Sequence, residues 1–139
     1  MSTQIINSIV PFHLINELKG LMGGEKPSWI INVSSMEGVF YRLGKSYYHP
    51  HTNMAKAALN MITRTSGRDL KNENIFMNSV DTGWVTNENP YFLAKKHESR
   101  HDFIPPLDCI EGAMRVLDPI YQGVCEGLFP FGKFLKDYK

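Results

Sequence analysis

The sequence reads as an α/β protein built on a parallel sheet, and three observations support this. Two short runs, Trp29 to Val33 and Ile75 to Val80, are almost wholly apolar, as expected of strands covered on both faces. A long stretch with helically spaced apolar residues precedes each run, and a third helical stretch follows the second. The order helix–strand, helix–strand, helix–strand makes each helix a crossover between parallel strands.

The elements follow in order. Ser2 or Thr3 is placed to cap a helix reaching about Met22. Its apolar positions, Ile5, Ile6, Ile9, Val10, Phe12, Leu14, Ile15, Leu18, Leu21 and Met22, cover more than one stripe. Such a helix needs cover on two sides, from the sheet and from a second helix. Pro11 predicts a kink and Gly23-Gly24 an end. The strand Trp29 to Val33 stops at Ser34-Ser35. Met36 to His49 is a loop rich in glycine and tyrosine, of the kind that carries function at strand ends.

Pro50 suits a first helical turn, and Met54, Ala55, Ala58, Leu59 and Ile62 then recur at helical spacing towards Lys71. Asn72 to Asn74 form the turn into the second strand. The segment 83–106 is long for a connection in a compact domain and predicts a substrate loop or lid. Asp108 caps a helix from Cys109 to about Leu117, closed by Pro119. The stretch Val124 to Phe134 is expected to supply a last short strand.

With 139 residues the chain suits one domain. A hydrophobic share of 42% and a charged share of 21% argue against disorder. The formal net charge of +1 gives no reason to expect nucleic acid or an anionic membrane surface. No apolar run approaches the roughly 18 residues of a membrane span. Cys109 and Cys125 are too few for a disulfide framework and read as reduced, buried thiols of an intracellular, cytoplasmic protein. The N-terminus lacks the pattern of a cleaved leader. His49 and His51 stand without accompanying Cys, Asp or Glu ligands, so no metal site is expected.

Three polar points converge on the carboxyl edge of the sheet: Ser34-Ser35 after the first strand, Lys56 early in the helix, and Thr82-Gly83 after the second strand. The runs Ile30-Ile31-Asn32-Val33-Ser34-Ser35, Lys56-Ala57-Ala58-Leu59 and Asn78-Ser79-Val80-Asp81-Thr82-Gly83-Trp84-Val85-Thr86 closely resemble the short-chain dehydrogenase/reductase family, in order and across nearly the whole chain. The resemblance implies the C-terminal half of a Rossmann-like doubly wound parallel sheet, with three strands and covering helices. Residues 1–139 would then be a partial NAD(P)-binding domain.

By that resemblance Ser35 matches the serine that hydrogen-bonds the substrate carbonyl. Lys56 matches the lysine that binds the nicotinamide ribose and lowers the catalytic tyrosine's pKa. Asn7 matches the asparagine that holds a relay water. Thr82, Gly83, Trp84, Val85 and Thr86 match the segment that passes the nicotinamide, with Thr82-Gly83 where the family usually has Pro-Gly. The implied chemistry is hydride transfer between NAD or NADP and a small carbonyl or alcohol substrate.

Two departures shape the expectation. The tyrosine of the Tyr-x-x-x-Lys pair is here Thr52, one turn before Lys56 on the same helix face. A threonine hydroxyl is too weak an acid to relay protons near neutral pH, so the candidates for a substitute acid are Tyr48, Tyr47, His49 and His51 in the preceding loop, Tyr48 first among them. The sequence also shows no Gly-rich strand–turn–helix to seat a pyrophosphate, and Gly20 to Gly24 ends a helix instead of opening one. At roughly 30 residues per βαβ unit, about 100 residues of the family's domain would lie outside this chain. The chain alone is therefore expected not to hold NAD(P) tightly. The alternative is a non-catalytic interaction module or truncated gene product. Its two long helices match those of a four-helix dimer interface, so it would pair with itself or with an intact relative.

Overall fold

The computed structural model describes residues 1–41, 45, 47–85 and 105–139. A helical run opens the chain: Ser2–Gln4 and Val10–Leu18 are α-helical, Ile5–Ile9 is a π turn between them, and Lys19–Leu21 ends the run as a 3-10 turn. The cap expected from Ser2 or Thr3 is not made, because the helix already starts at Ser2 with Met1 before it. Pro11 lies in the first turn of Val10–Leu18. Proline donates no hydrogen bond, and its ring crowds the carbonyl of Asn7 four residues back. The backbone N–H of Val10 reaches five residues back to the Ile5 carbonyl. This wider turn takes up the conflict that the sequence predicts as a kink.

Strand β1 is Ser28–Ser34, and a 3-10 turn follows at Met36–Gly38. The central helix, Pro50–Asn72, is uninterrupted. Strand β2 is Ile75–Asp81 and strand β3 is Phe134–Lys136. The sheet order is β1-β2-β3, and both pairings are parallel. Ser34 pairs in register with Asp81, and Asp81 with Lys136, so the carboxyl ends of all three strands lie side by side.

The C-terminal helix corrects three expectations. It runs from Cys109 to Tyr121 with Pro119 inside it and continues as a π turn over Gln122–Glu126. One missing donor at Pro119 does not end a helix whose proline ring is itself fully buried. The last strand falls at Phe134–Lys136, starting on the final residue of the expected stretch, because Gly127 and Gly132 turn the chain before it with positive φ. Cys109 and Cys125 are free thiols but exposed, not buried. Asp108 caps this helix as expected, accepting from Glu111 N at 2.8 Å.

The core lies between the central helix and the sheet. Leu70, Ile75 and Met77 are buried there, with Ile15, Met22 and Ile30 packed against them. A polar chain crosses the same layer. Asn32 Nδ2 donates to Thr63 Oγ1 at 2.9 Å, and Thr63 Oγ1 shares a hydrogen bond with Ser79 Oγ at 2.7 Å. On the other face of the sheet, the Phe129 ring lies 4.7 Å from Phe76 and 6.4 Å from Trp29, centroid to centroid. Among the described residues no helix is long and apolar enough to cross a membrane.

Candidate active site

The carboxyl edge of the sheet collects the loops that follow β1 and β2. β1 ends at Ser34, which is buried, and Ser35 continues in extended backbone before the turn. The carbonyl of Ser35 accepts from Gly38 N at 3.0 Å, which closes the 3-10 turn over Met36–Gly38. This turn sits directly on the central helix. A Cβ on Gly38 would lie 2.5 Å from the Lys56 carbonyl carbon and 2.7 Å from Ala57 N, so only glycine fits. The backbone contact fixes the Ser35 turn against the helical turn that carries Lys56.

Lys56 Nζ donates to the Val33 carbonyl at 2.9 Å. The ammonium therefore spans from the helix to the end of β1, next to the two serines. Thr52 lies one turn earlier on that helix and is partly exposed. Its backbone N–H donates to the His49 carbonyl at 3.0 Å, which makes it part of the helix's first turn. His49 takes left-handed backbone, φ 56°, to feed Pro50 into the helix.

Tyr47 and Tyr48 are exposed in the loop before this turn, and their hydroxyls are 2.9 Å apart. That hydrogen bond holds the Tyr47 phenol above its ordinary value of 10.0. The rings of Tyr48 and His49 lie 6.4 Å apart, and those of His49 and His51 5.9 Å. Among the described residues no group of three His, Cys, Asp or Glu could hold a metal ion.

Asn7 sits in the π turn, which packs against the central helix. Its Nδ2 donates back to the Thr3 carbonyl at 3.1 Å. After β2, Thr82 and Gly83 are partly exposed and Trp84 is exposed. Gly83 has φ +75°, and a Cβ there would meet the Leu107 side chain at 2.5 Å. Thr86 and nearly all of the expected lid, residues 86–104, lie outside the described residues. Neither Gly38's seat on the helix nor the role of Asp81 is legible in the sequence; the Asp81 carboxylate accepts from Met36 N at 2.9 Å and Gly83 N at 2.8 Å. The signal for Gly38 would have been a glycine three residues past the serine pair.

A family model described as enoyl-(acyl carrier protein) reductase matches residues 2–104. The chain belongs to the short-chain dehydrogenase/reductase family. An uncharacterized protein of Acanthamoeba polyphaga mimivirus is 30% identical over 132 residues, covering 86% of this chain and 28% of that protein. The fold matches the NADP complex of RhlG from Pseudomonas aeruginosa with TM-score 0.68 and 17% identity, over 96% of this chain and 56% of the other. It matches the carbonyl reductase Sniffer of Drosophila melanogaster with TM-score 0.68 and 22% identity, over 97% and 52%. A dehydrogenase/reductase from Sinorhizobium meliloti gives TM-score 0.64 and 23% identity, over 96% and 51%. The chain thus spans about half the length of these solved relatives and 28% of the viral one. The three-stranded parallel sheet with its helices is part of a Rossmann-like fold.

The family implies a nicotinamide dinucleotide. The Ser35 turn, Lys56 and the Thr82–Val85 segment share the carboxyl edge of the sheet. Two helix N-termini are poor seats for a phosphate. The central helix opens on Pro50, which has no N–H to offer. The C-terminal helix opens on Asp108, whose carboxylate already occupies the first turn and would repel a phosphate.

Proposed function

We propose that this chain supplies the carbonyl-handling edge of an NAD(P)-dependent oxidoreductase acting on a small carbonyl or alcohol. The supporting observation is the seat of the Ser35 turn on the backbone at Lys56, with Lys56 Nζ on the Val33 carbonyl. A bound dinucleotide would supply the hydride. In this reading the Ser35 hydroxyl donates to the carbonyl oxygen, and Lys56 places a positive charge beside the position where an acid must work. Thr52 occupies the acid's place without the acidity. Tyr48 is the group assigned to substitute, from the loop that leads into the helix. The segment 83–106 is assigned to the substrate, as a cover that selects by shape. NADP is bound by the RhlG relative. NAD or NADP is assigned here to the full-length form, and this chain alone is assigned no tight binding.

Restoring the acid tests this reading. In the full-length form to which the dinucleotide is assigned, Thr52→Tyr is expected to raise turnover of a simple ketone with NADPH by about a hundredfold or more, the usual range for one positioned proton donor. No gain, with the fold intact by circular dichroism, would count against it. Micromolar NADPH affinity of the isolated chain in a fluorescence titration would overturn the assignment of the phosphate seat to another segment. Full activity in Tyr48→Phe, His49→Ala and His51→Ala variants would remove the loop as the acid's source.

A second reading, a module that pairs through its helices, has its own support. The N-terminal helical run exposes Ile6, Phe12, Leu14 and Leu18, and the central helix exposes Met54 and Met61. The sequence asks for cover on two sides of the first helix, and among the described residues one side is bare.

A further inference from the structure

Asp81 ends the central strand of the sheet, and its buried carboxylate joins three separate parts of the chain. Oδ1 accepts from Gly83 N at 2.8 Å, and Oδ2 accepts from Met36 N at 2.9 Å and from Lys136 Nζ at 3.3 Å. The carboxylate side chain is 8% exposed and that of Lys136 41%. Burying a carboxylate is costly unless its oxygens are hydrogen-bonded and its charge is paired, and both conditions are met here. We propose that Asp81 is a positioning residue that sets the spacing between the Ser35 turn and the Gly83 segment, with Lys136 balancing its charge. The clamp itself is independent of the oxidoreductase reading; its consequence for turnover rests on that reading.

The geometry explains why a carboxylate is used. Met36 N is the first amide after Ser35, and Gly83 N lies two residues past the strand end. The two loops come from neighbouring strands and need one acceptor facing each way, which a carboxylate supplies and an apolar side chain does not. The three groups described as bonding to Asp81 all donate to it, so Asp81 acts as an acceptor and not as a substitute acid. The Asp81 bond on Met36 and the Gly38 contact on Lys56 both hold the turn that follows Ser35.

Hydrogen exchange at single amides, read by NMR, decides the clamp. In Asp81→Ala the Met36 and Gly83 amides are expected to exchange roughly tenfold faster or more, while Ile30 and Met77 in the strands keep their protection. Asp81→Asn guards against loss of fold. Its one oxygen is drawn to the side with two donors, Met36 and Lys136, so Met36 stays protected and Gly83 alone exchanges faster. Unchanged exchange at both amides in Asp81→Ala would overturn the proposal. In the full-length Thr52→Tyr form, adding Asp81→Asn is expected to lower kcat about tenfold with KM within about twofold, since the transition-state contact suffers more than binding. Equal kcat with a released Gly83 amide would overturn the positioning role. Absence of turnover in the full-length Thr52→Tyr form with Asp81 intact would sink the oxidoreductase reading instead, and the exchange pattern would still decide the clamp.

Discussion

Gly38 has no side chain, and no side chain would fit. Its Cα faces the backbone of Lys56 and Ala57, and neither backbone can move without breaking the helix. Gly38→Ala is therefore expected to destabilise the protein by about 1–3 kcal/mol, the usual cost of overpacking. Urea unfolding checks this, and a cost near zero would mean that the turn can lift off the helix. Tyr47 makes a different residue-scale prediction. Its hydroxyl bond to Tyr48 raises its pKa, so the neutral form is the one the fold favours. The sign follows: the bond's contribution is fully present below the ordinary value of 10.0 and is lost as the pH rises through the raised one. In Tyr48→Phe the Tyr47 transition, followed by ultraviolet absorbance, is expected to move back down. An unmoved transition would show that the two phenols are not bonded in solution. The role of Asp81 was not legible, because its donors Met36 and Lys136 lie 45 and 55 residues away along the chain. Only the strand register brings them together.

At the scale of elements, β1, β2 and the central helix were legible because each carries a strong local pattern. Continuous apolar runs mark the two strands, and spaced alanines and leucines mark the helix. The third strand was legible in number but not in place. It is three residues long and follows a longer stretch with apolar residues of its own, so neither length nor period marks it. The π turn at Ile5–Ile9 was hidden for another reason: proline predicts a disturbance but not how the backbone absorbs it. The chain Asn32–Thr63–Ser79 ties β1, the central helix and β2 together at one level. Thr63→Val keeps the shape and removes both bonds, leaving Asn32 and Ser79 buried without this partner. The expected loss is about 1–3 kcal/mol, measured by thermal or urea unfolding. A neutral result would mean that Asn32 and Ser79 find each other instead.

For the whole molecule the main question is what covers the apolar surface of the two helices. Ile6 is 66% exposed and Met61 60%. If the helices pair with a second copy, the wild-type protein sediments as a dimer, and Ile6→Glu with Met61→Glu shifts it to a folded monomer. A wild-type monomer at high concentration would remove the interaction reading. The candidate site was legible in its parts, because Ser35, Lys56 and Thr82-Gly83 stand at strand and helix positions that the pattern fixes. Its assembly was not, because the contacts that join those parts are backbone to backbone at Gly38 and carboxylate to backbone at Asp81.

β1 lies at one edge of the described sheet, and Val33 on it is 47% exposed. Such an edge has no built-in stop: no proline, lysine or bulge interrupts Ser28–Ser34. The strand is a template, and it selects for geometry more than for identity. Whatever extended segment reaches it first, another part of the same polypeptide or a neighbour's β1, gains a row of backbone bonds. An extended segment pairing there would give β1 neighbours on both sides and lengthen the same parallel register.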